Sequence, residues 1–328
     1  MKNILITGGA GYFGSVLSGW FLDAGYTVHV LDALRYGDMG VVPYLYNENY
    51  NFWNGNILDS DLLQTIFNKF DISIVIHLAA LVGEPLCKKY TKTARQVNLE
   101  GTKAVIEFSK NRGVSQFIFA STCSVYGASD SQISEDSPLQ QTSLYAETKI
   151  EAEKYVSQFP FSTVLRFATL FGSSPRMRFD IILNQFVAQA SSLNIIELYE
   201  PIDAWRPLIH LKDACEAVLR CVEKPDLVKG EFFNVGGNSN NCTKHDLAKF
   251  VQASIPTTQI DVKGIRRDRR NYFVSFNKIC NVLSFIPETS VAAGIDELSN
   301  CLRSCDPTLP IYDNLVGYNQ HSMETHIL

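Results

Sequence analysis

The chain begins MKNILITGGAGYFG, and few folds can use such a start. Ile4, Leu5 and Ile6 are an apolar run too short for a buried helix, so residues 3–6 read as a strand covered on both faces. Gly8, Gly11 and Gly14 follow at once. Val16, Leu17, Trp20 and Phe21 then recur at helical spacing over residues 15–24. A strand that turns through glycines into a helix leaves backbone N–H groups facing whatever lies beyond the strand end, which suits an anion. In such a turn Gly8 permits the tight bend and Gly11 lets the backbone approach a pyrophosphate. Gly14 lets the helix pack on the strand. Glycines also make ordinary turns; the placement between strand and helix is what predicts a dinucleotide site here, with Tyr12 and Phe13 inside it.

A second apolar run, 27–31, ends at Asp32, 18 residues past Gly14. A carboxylate there can accept ribose hydroxyls and would repel a 2'-phosphate, so NAD is expected over NADP. Arg35 could reach a phosphate, but reads more simply as a solvated loop residue. Asn56 and Ile57, in GNILD, are placed to edge an adenine. The run 72–77 leads into HLAA, where Ala79 and Ala80 leave room for a cofactor. His77 reads as a core histidine with satisfied hydrogen bonds. Another apolar run covers 116–120.

Strands separated by helical patterns imply right-handed crossovers and an α/β, doubly wound parallel sheet of the Rossmann type. Beyond residue 172 the pattern loosens around Pro175, Pro201, Pro207, Pro225 and Pro256. We therefore expect an NAD-binding domain over 1–172, with a returning segment near 205–225. A smaller α/β substrate lobe is expected over 173–328. A late helix is expected to start at Thr243, with Asp246 three residues on.

With 328 residues, 46% hydrophobic and 19% charged, the chain is long and apolar enough to bury a large core. A net charge of -5 argues against a general nucleic-acid surface. Eight cysteines without a CxxC pair argue for reduced thiols rather than a metal site. The absence of an apolar leader or an 18-residue apolar run points to a cytoplasmic protein with no membrane partner.

YAETK supplies Tyr145 and Lys149, four residues apart on one helix face. A free tyrosine titrates near a pKa of about 10, too high for a base at neutral pH. A neighbouring ammonium and a cationic nicotinamide would favour the phenolate. Tyr145 could then take a proton from a sugar hydroxyl while hydride leaves the same carbon.

Together with STCSVYG (121–127), NLEG (98–101), LRFATLFG (165–172), WRPLIHLKD (205–213) and RRDRRNYFVSF (266–276), these motifs give the chain a recognisable pattern. It resembles an extended short-chain dehydrogenase/reductase of the nucleotide-sugar epimerase/dehydratase family, over residues 1 to about 290. The resemblance implies that Thr122 orients the substrate beside Tyr145 and that Asn98 belongs to the cofactor site. It implies that Arg206 and Arg270 hold the diphosphate of a nucleotide-diphosphate sugar, as guanidinium forks suit phosphate oxygens. Asn184 is expected on the nucleotide side. Thr169 stands where relatives carry an asparagine, and Arg176 and Arg178 lie near the cleft without a role. A homodimer through helices of the first lobe is also implied.

Sugar 4,6-dehydratases of the family carry Asp and Glu where Cys123 and Ser124 stand, and its 3,5-epimerases carry a cysteine base at the position of Ser124. Cys123 is offset by one residue, which on an extended segment turns it away. Cys123 and Ser124 are therefore expected to shape the substrate pocket while Thr122 takes part in chemistry. The activity expected is redox at C4 of the sugar, most simply a 4-epimerase. A net C4-dehydrogenase or 4-keto reductase, and then a 3,5-epimerase, are the alternatives; a 4,6-dehydratase is disfavoured. The presence of Thr122, Tyr145 and Lys149 together argues against a binding module without catalysis. The nucleotide base is not legible.

Overall fold

Strand β1 (Asn3–Thr7) shows why the first apolar run folds as it does. Ile4 and Ile6 face one core cluster and Leu5 the other, and all three are fully buried. A computed structural model describes residues 2–129, 131–265 and 270–322 of the chain, with side chains to Tyr318. Arg266, Arg267, Asp268 and Arg269 of the RRDRR motif lie outside the described residues.

β1 sits inside a seven-stranded sheet with β2 (Thr27–Asp32), β3 (Tyr50–Asn54), β4 (Ile72–His77), β5 (Gln116–Thr122) and β6 (Ser162–Phe167). The order is β10-β6-β5-β4-β1-β2-β3, every pairing is parallel, and β10 is Phe232–Val235. The order reverses beside β1, since β2 lies on one side of it and β4 on the other. Such a reversal opens a crevice at the carboxyl ends of the strands. Helix α1 (Tyr12–Asp23) covers one face through Leu17 and Phe21. The other face is covered by α2 (Ser60–Lys69), by α5 (Thr102–Asn111) and by α6 (Leu144–Val156). Two short helices, α3 (Glu84–Lys89) and α4 (Thr91–Arg95), precede a π-helical turn over Gln96–Gly101.

After β6 the chain builds β7 (Thr169–Phe171), α7 (Ile182–Leu193), β8 (Ile195–Glu200) and β9 (Trp205–His210). It then returns: α8 (Leu211–Glu223) packs beside α1, and β10 adds to the outer edge of β6. β11 (Asn241–Thr243) joins β9 and β7 in a small sheet. β12 (Gln259–Ile265) pairs in parallel with β8. Phe171, Leu183, Phe186, Leu198, Leu247 and Ile295 centre a second core between these pieces. At Thr243 a capping box opens the helix Lys244–Ser254, with the Thr243 hydroxyl and the Asp246 carboxylate each taking the other's backbone N–H.

His77 bonds Thr7 Oγ1 at 2.6 Å and Thr102 Oγ1 at 2.9 Å, and burial pushes its pKa down to about 3. It is a neutral core residue. Among the described residues no helix is long and apolar enough to cross a membrane, and no group of three or more His, Cys, Asp or Glu could hold a metal ion.

Candidate active site

One cavity of about 1440 Å³ opens at the carboxyl ends of β1, β2, β4 and β5. Gly8 begins its floor with φ +75°, and its N–H donates to Leu31 O at 2.8 Å, which ties the turn to β2. A Cβ on Gly8 would lie 2.7 Å from Ala79 N, and one on Gly14 would lie 2.2 Å from Gly8 O. Neither position has room for a side chain. No side chain caps α1 at Gly11, so the N–H groups of its first turn are left to face the cavity mouth. Asp32 accepts from Ala10 N–H at 3.0 Å and from Leu34 N–H at 2.9 Å, one on each oxygen. Each oxygen keeps a second lone pair. Burial raises the pKa of this carboxyl, against the two amides that lower it. Tyr12, Phe13, Asn56, Ile57, Ala79 and Ala80 also line the cavity.

Deeper in, Ser143 caps α6 by accepting from Ala146 N–H at 3.1 Å. This starts the helix where Tyr145 and Lys149 fall on its buried face, one turn apart. Thr122, at the end of β5, lines the cavity together with Tyr145, and its hydroxyl is near enough to favour the phenolate against burial. Thr122 Oγ1 also accepts from Ser124 N–H at 3.1 Å, which caps the tight turn Cys123–Tyr126. Lys149 is 3% exposed, donates to Ala120 O at 2.8 Å, and lies 4.7 Å from the centre of the Phe119 ring. Burial pushes Lys149 down to about 8. It pushes the Tyr145 hydroxyl well above its ordinary range, and the cation that opposes this is Arg178. The sequence suggested Lys149 for that part. Its ammonium is instead directed at the Ala120 carbonyl.

Three expected contacts fall behind the cavity wall. Cys123 is 1% exposed and does not line the cavity; its Sγ donates to Arg166 O at 3.2 Å. Burial holds that thiol well above the usual range. Asn98 sits in the π-helical turn, where Oδ1 accepts from Leu81 N–H at 2.7 Å and Nδ2 donates to Leu81 O at 3.0 Å. It fixes the loop after Ala80 rather than lining the cavity. Asn184 is fully buried: Nδ2 donates to Tyr12 Oη at 2.9 Å and to Arg178 O at 2.8 Å. Its amide joins α7 to α1, and the residue does not line the cavity. Ser124, Thr169, Arg206 and Arg270 do line the cavity. Arg206 is 2% exposed, donates to Trp205 O at 2.8 Å, and has its guanidinium 6.0 Å from the centre of the Tyr272 ring.

Residues 4–236 match the family model described as the NAD dependent epimerase/dehydratase family. The chain belongs to that family. A mouse protein named dTDP-D-glucose 4,6-dehydratase is 30% identical over 247 residues, covering 72% of this chain and 68% of its own length. A Bacillus subtilis UDP-glucose 4-epimerase is 30% identical over 250 residues, covering 67% and 73%. The crystal structure of a UDP-glucose 4-epimerase from Thermotoga maritima, with UDP-glucose, superposes with TM-score 0.84 at 26% identity over 92% of this chain and 99% of that one.

Membership makes the protein an NAD-dependent enzyme, and its residues fit that cofactor. The side-chain-free turn at Gly8 and Gly14, the uncapped start of α1 and the carboxylate of Asp32 form a cradle for a pyrophosphate and a ribose.

Other residues around the cavity were given no role from sequence or were not singled out there. Arg178 and Asp180 form a fork of 2.9 and 2.6 Å on its wall. Lys244, which donates to Tyr199 O at 2.6 Å, and Asn314, Leu315 and Tyr318 near the C-terminus also line it. Behind β5 lies a buried network. Arg166 forks onto Glu153 at 2.8 Å and reaches Tyr126 Oη at 2.9 Å, while Ser121 donates to Glu153 at 2.5 Å. A signal for it existed: Tyr145, Lys149 and Glu153 recur every four residues, so the glutamate shares the buried face.

Proposed function

We propose that the protein oxidises C4 of a nucleotide-diphosphate sugar and returns hydride to the opposite face, as a 4-epimerase. What supports this reading is the turn after β5, where Thr122 lines the same cavity as Tyr145 and the turn itself brings neither a carboxylate nor an accessible thiol. Elimination of water needs a group to protonate the leaving hydroxyl and a base at C5. A serine hydroxyl at 124 is too weak a base for that alone, and Cys123 faces the Arg166 carbonyl. NAD held at the glycine turn supplies the hydride acceptor. Tyr145 takes the proton of the 4-hydroxyl as the C4–H bond breaks and C4=O forms, while Thr122 holds the same oxygen. After the ketone turns over, Tyr145 returns the proton as C4 regains hydride. Lys149, fixed by Ala120 O, supplies positive potential beside the reacting groups. Arg206 and Arg270 suit the diphosphate, since their forks match phosphate oxygens.

The test is to incubate the protein with uridine, thymidine, guanosine and cytidine diphosphate sugars in deuterated water and follow products by mass and NMR. A C4 epimer of unchanged mass is expected. A 6-deoxy-4-keto product would overturn the reading. Deuterium at C3 or C5, lost in Cys123→Ala, would replace it with 3,5-epimerisation.

Asp32→Ala should weaken NAD binding by about tenfold to a hundredfold, the scale of hydrogen bonds to a charged acceptor. It also removes the repulsion toward a 2'-phosphate, so the preference over NADP should narrow. Titration with both dinucleotides reads this, and an unchanged ratio would place the ribose elsewhere.

A further inference from the structure

Seven buried side-chain polar atoms among the described residues have no hydrogen-bond partner. Two of them belong to residues that line the cavity: Arg176 Nε and Asn314 Oδ1. Arg176 is 1% exposed and Asn314 is 6% exposed. Among the described residues no carboxylate stands within ion-pairing distance of Arg176. Its contacts are the Tyr36 ring, 4.0 Å from the guanidinium carbon, and Ile311 O at 3.4 Å. A buried cation with no ion-pair partner is expensive, and so is a buried acceptor left without a donor. Both costs fall away if a ligand brings the missing partners.

The position of the pair says which part of the cavity it serves. Ser174 donates to Tyr12 O at 2.7 Å and pairs with Ser15 Oγ at 3.0 Å, so the segment that carries Arg176 is tied to the first turn of α1. Arg176 N–H then donates to Ser174 Oγ at 3.2 Å. Asp32 and Arg176 feel each other's charge. Asn314 opens the helix Asn314–Ser322, whose Tyr318 packs on Tyr36 and Tyr90 with ring centres 6.2 and 4.7 Å away. Tyr36 follows β2 closely, and Gly317 packs against both Pro310 O and Tyr36. The ties of Ser174 and Tyr36 lie on the glycine-turn side of the cavity, and the cluster that holds Tyr318 runs on to Tyr145.

We propose that Arg176 and Asn314 complete the dinucleotide site from outside the strand-and-glycine motif, holding the adenosine ribose-phosphate of NAD. The donor and acceptor types match that unit. Arg176 can donate only, which suits a phosphate oxygen. Asn314 Oδ1 can accept only, which suits a ribose hydroxyl and cannot be met by a diphosphate. The C-terminal helix thus becomes part of the cofactor site, together with the segment after β7.

The experiment titrates the full-length protein, freed of nucleotide, with NAD and separately with UDP and dTDP, by calorimetry and by thermal shift. It requires no turnover, so its outcome is independent of the reaction at C4. Arg176→Gln and Asn314→Leu should each weaken NAD about tenfold to a hundredfold while leaving both nucleoside diphosphates unchanged. The melting temperature of Arg176→Gln without ligand should not fall, because a buried uncompensated charge has gone, yet its rise on adding NAD should shrink. If the diphosphates weaken and NAD does not, the pair serves the sugar nucleotide and the proposal is overturned. Unchanged NAD affinity in both variants overturns it equally. Asn314→Leu decides the question alone if Arg176→Gln does not fold.

Discussion

Tyr145→Phe should reduce turnover by about 10²- to 10⁴-fold, the range for losing one positioned proton-transfer group. The change removes a single oxygen. The ring keeps its place among Leu81, Leu86, Cys87 and Tyr318. Thr122 still accepts from Ser124 N–H, so the turn that holds it stays capped. Stability should therefore change by no more than about 1 kcal/mol, the size of one exchanged hydrogen bond. The glycine turn and Asp32 are untouched, and NAD affinity should match that of the parent. This pairing of results separates a chemical role from a structural one. Burial raises the Tyr145 hydroxyl in the protein, so the proton-accepting form must be gained against that burial, and the parent rate should rise with pH from neutral upward. The phenylalanine variant should show no such rise. Undiminished turnover in it would remove Tyr145 from the mechanism.

The glycine turn, Asp32 and the Tyr145–Lys149 pair were legible because each is a local pattern. A strand end, a helix start and a four-residue spacing fix where those backbone groups lie relative to one another. The doubly wound sheet was legible for the same reason, from short apolar runs between helices. What sequence could not supply was the direction of individual side chains once distant segments met. Asn98 and Asn184 both fall close to the cavity, yet each amide is consumed by a backbone or hydroxyl group brought in by tertiary packing. Cys123 was expected to turn from the reacting groups yet help shape the pocket; it does not line the cavity, and only the structure shows the Arg166 carbonyl that receives its thiol. The entry of β10 at the sheet edge depends on pairing with β6, about 70 residues earlier in the chain, and no short window records that. Asn314 and Tyr318 lie beyond the matched motifs altogether, and reach the cavity only because the C-terminal helix packs on α3 and Tyr36.

Glu153→Ala should cost about 3–5 kcal/mol of stability, the scale for breaking a buried ion pair and leaving one charge behind. The side chains of Arg166 and Glu153 are 5% and 2% exposed. Arg166 Nε and Nη2 both donate to the carboxylate, and Nη1 reaches Tyr126 Oη and Glu135 O. Without Glu153 the guanidinium loses its ion-pair partner, and Ser121 loses the acceptor it donates to. Water cannot easily replace them behind β5. A surface pair such as Lys229 and Asp226 offers the contrast, because solvent already screens it and its loss should leave the unfolding midpoint almost where it was. The double replacement Glu153→Leu with Arg166→Met should recover much of the loss, since it removes both charges and leaves apolar groups of similar size. Chemical unfolding of the three variants reads these differences. The consequence reaches the active site, because Ser121, Cys123 and Tyr126 are the network's contacts and Thr122 stands between the first two. At a temperature where Glu153→Ala is still folded, kcat should fall while NAD affinity holds, because the loosened turn no longer sets Thr122 against Tyr145. Full activity in a destabilised Glu153→Ala protein would show that the turn keeps its shape without the ion pair.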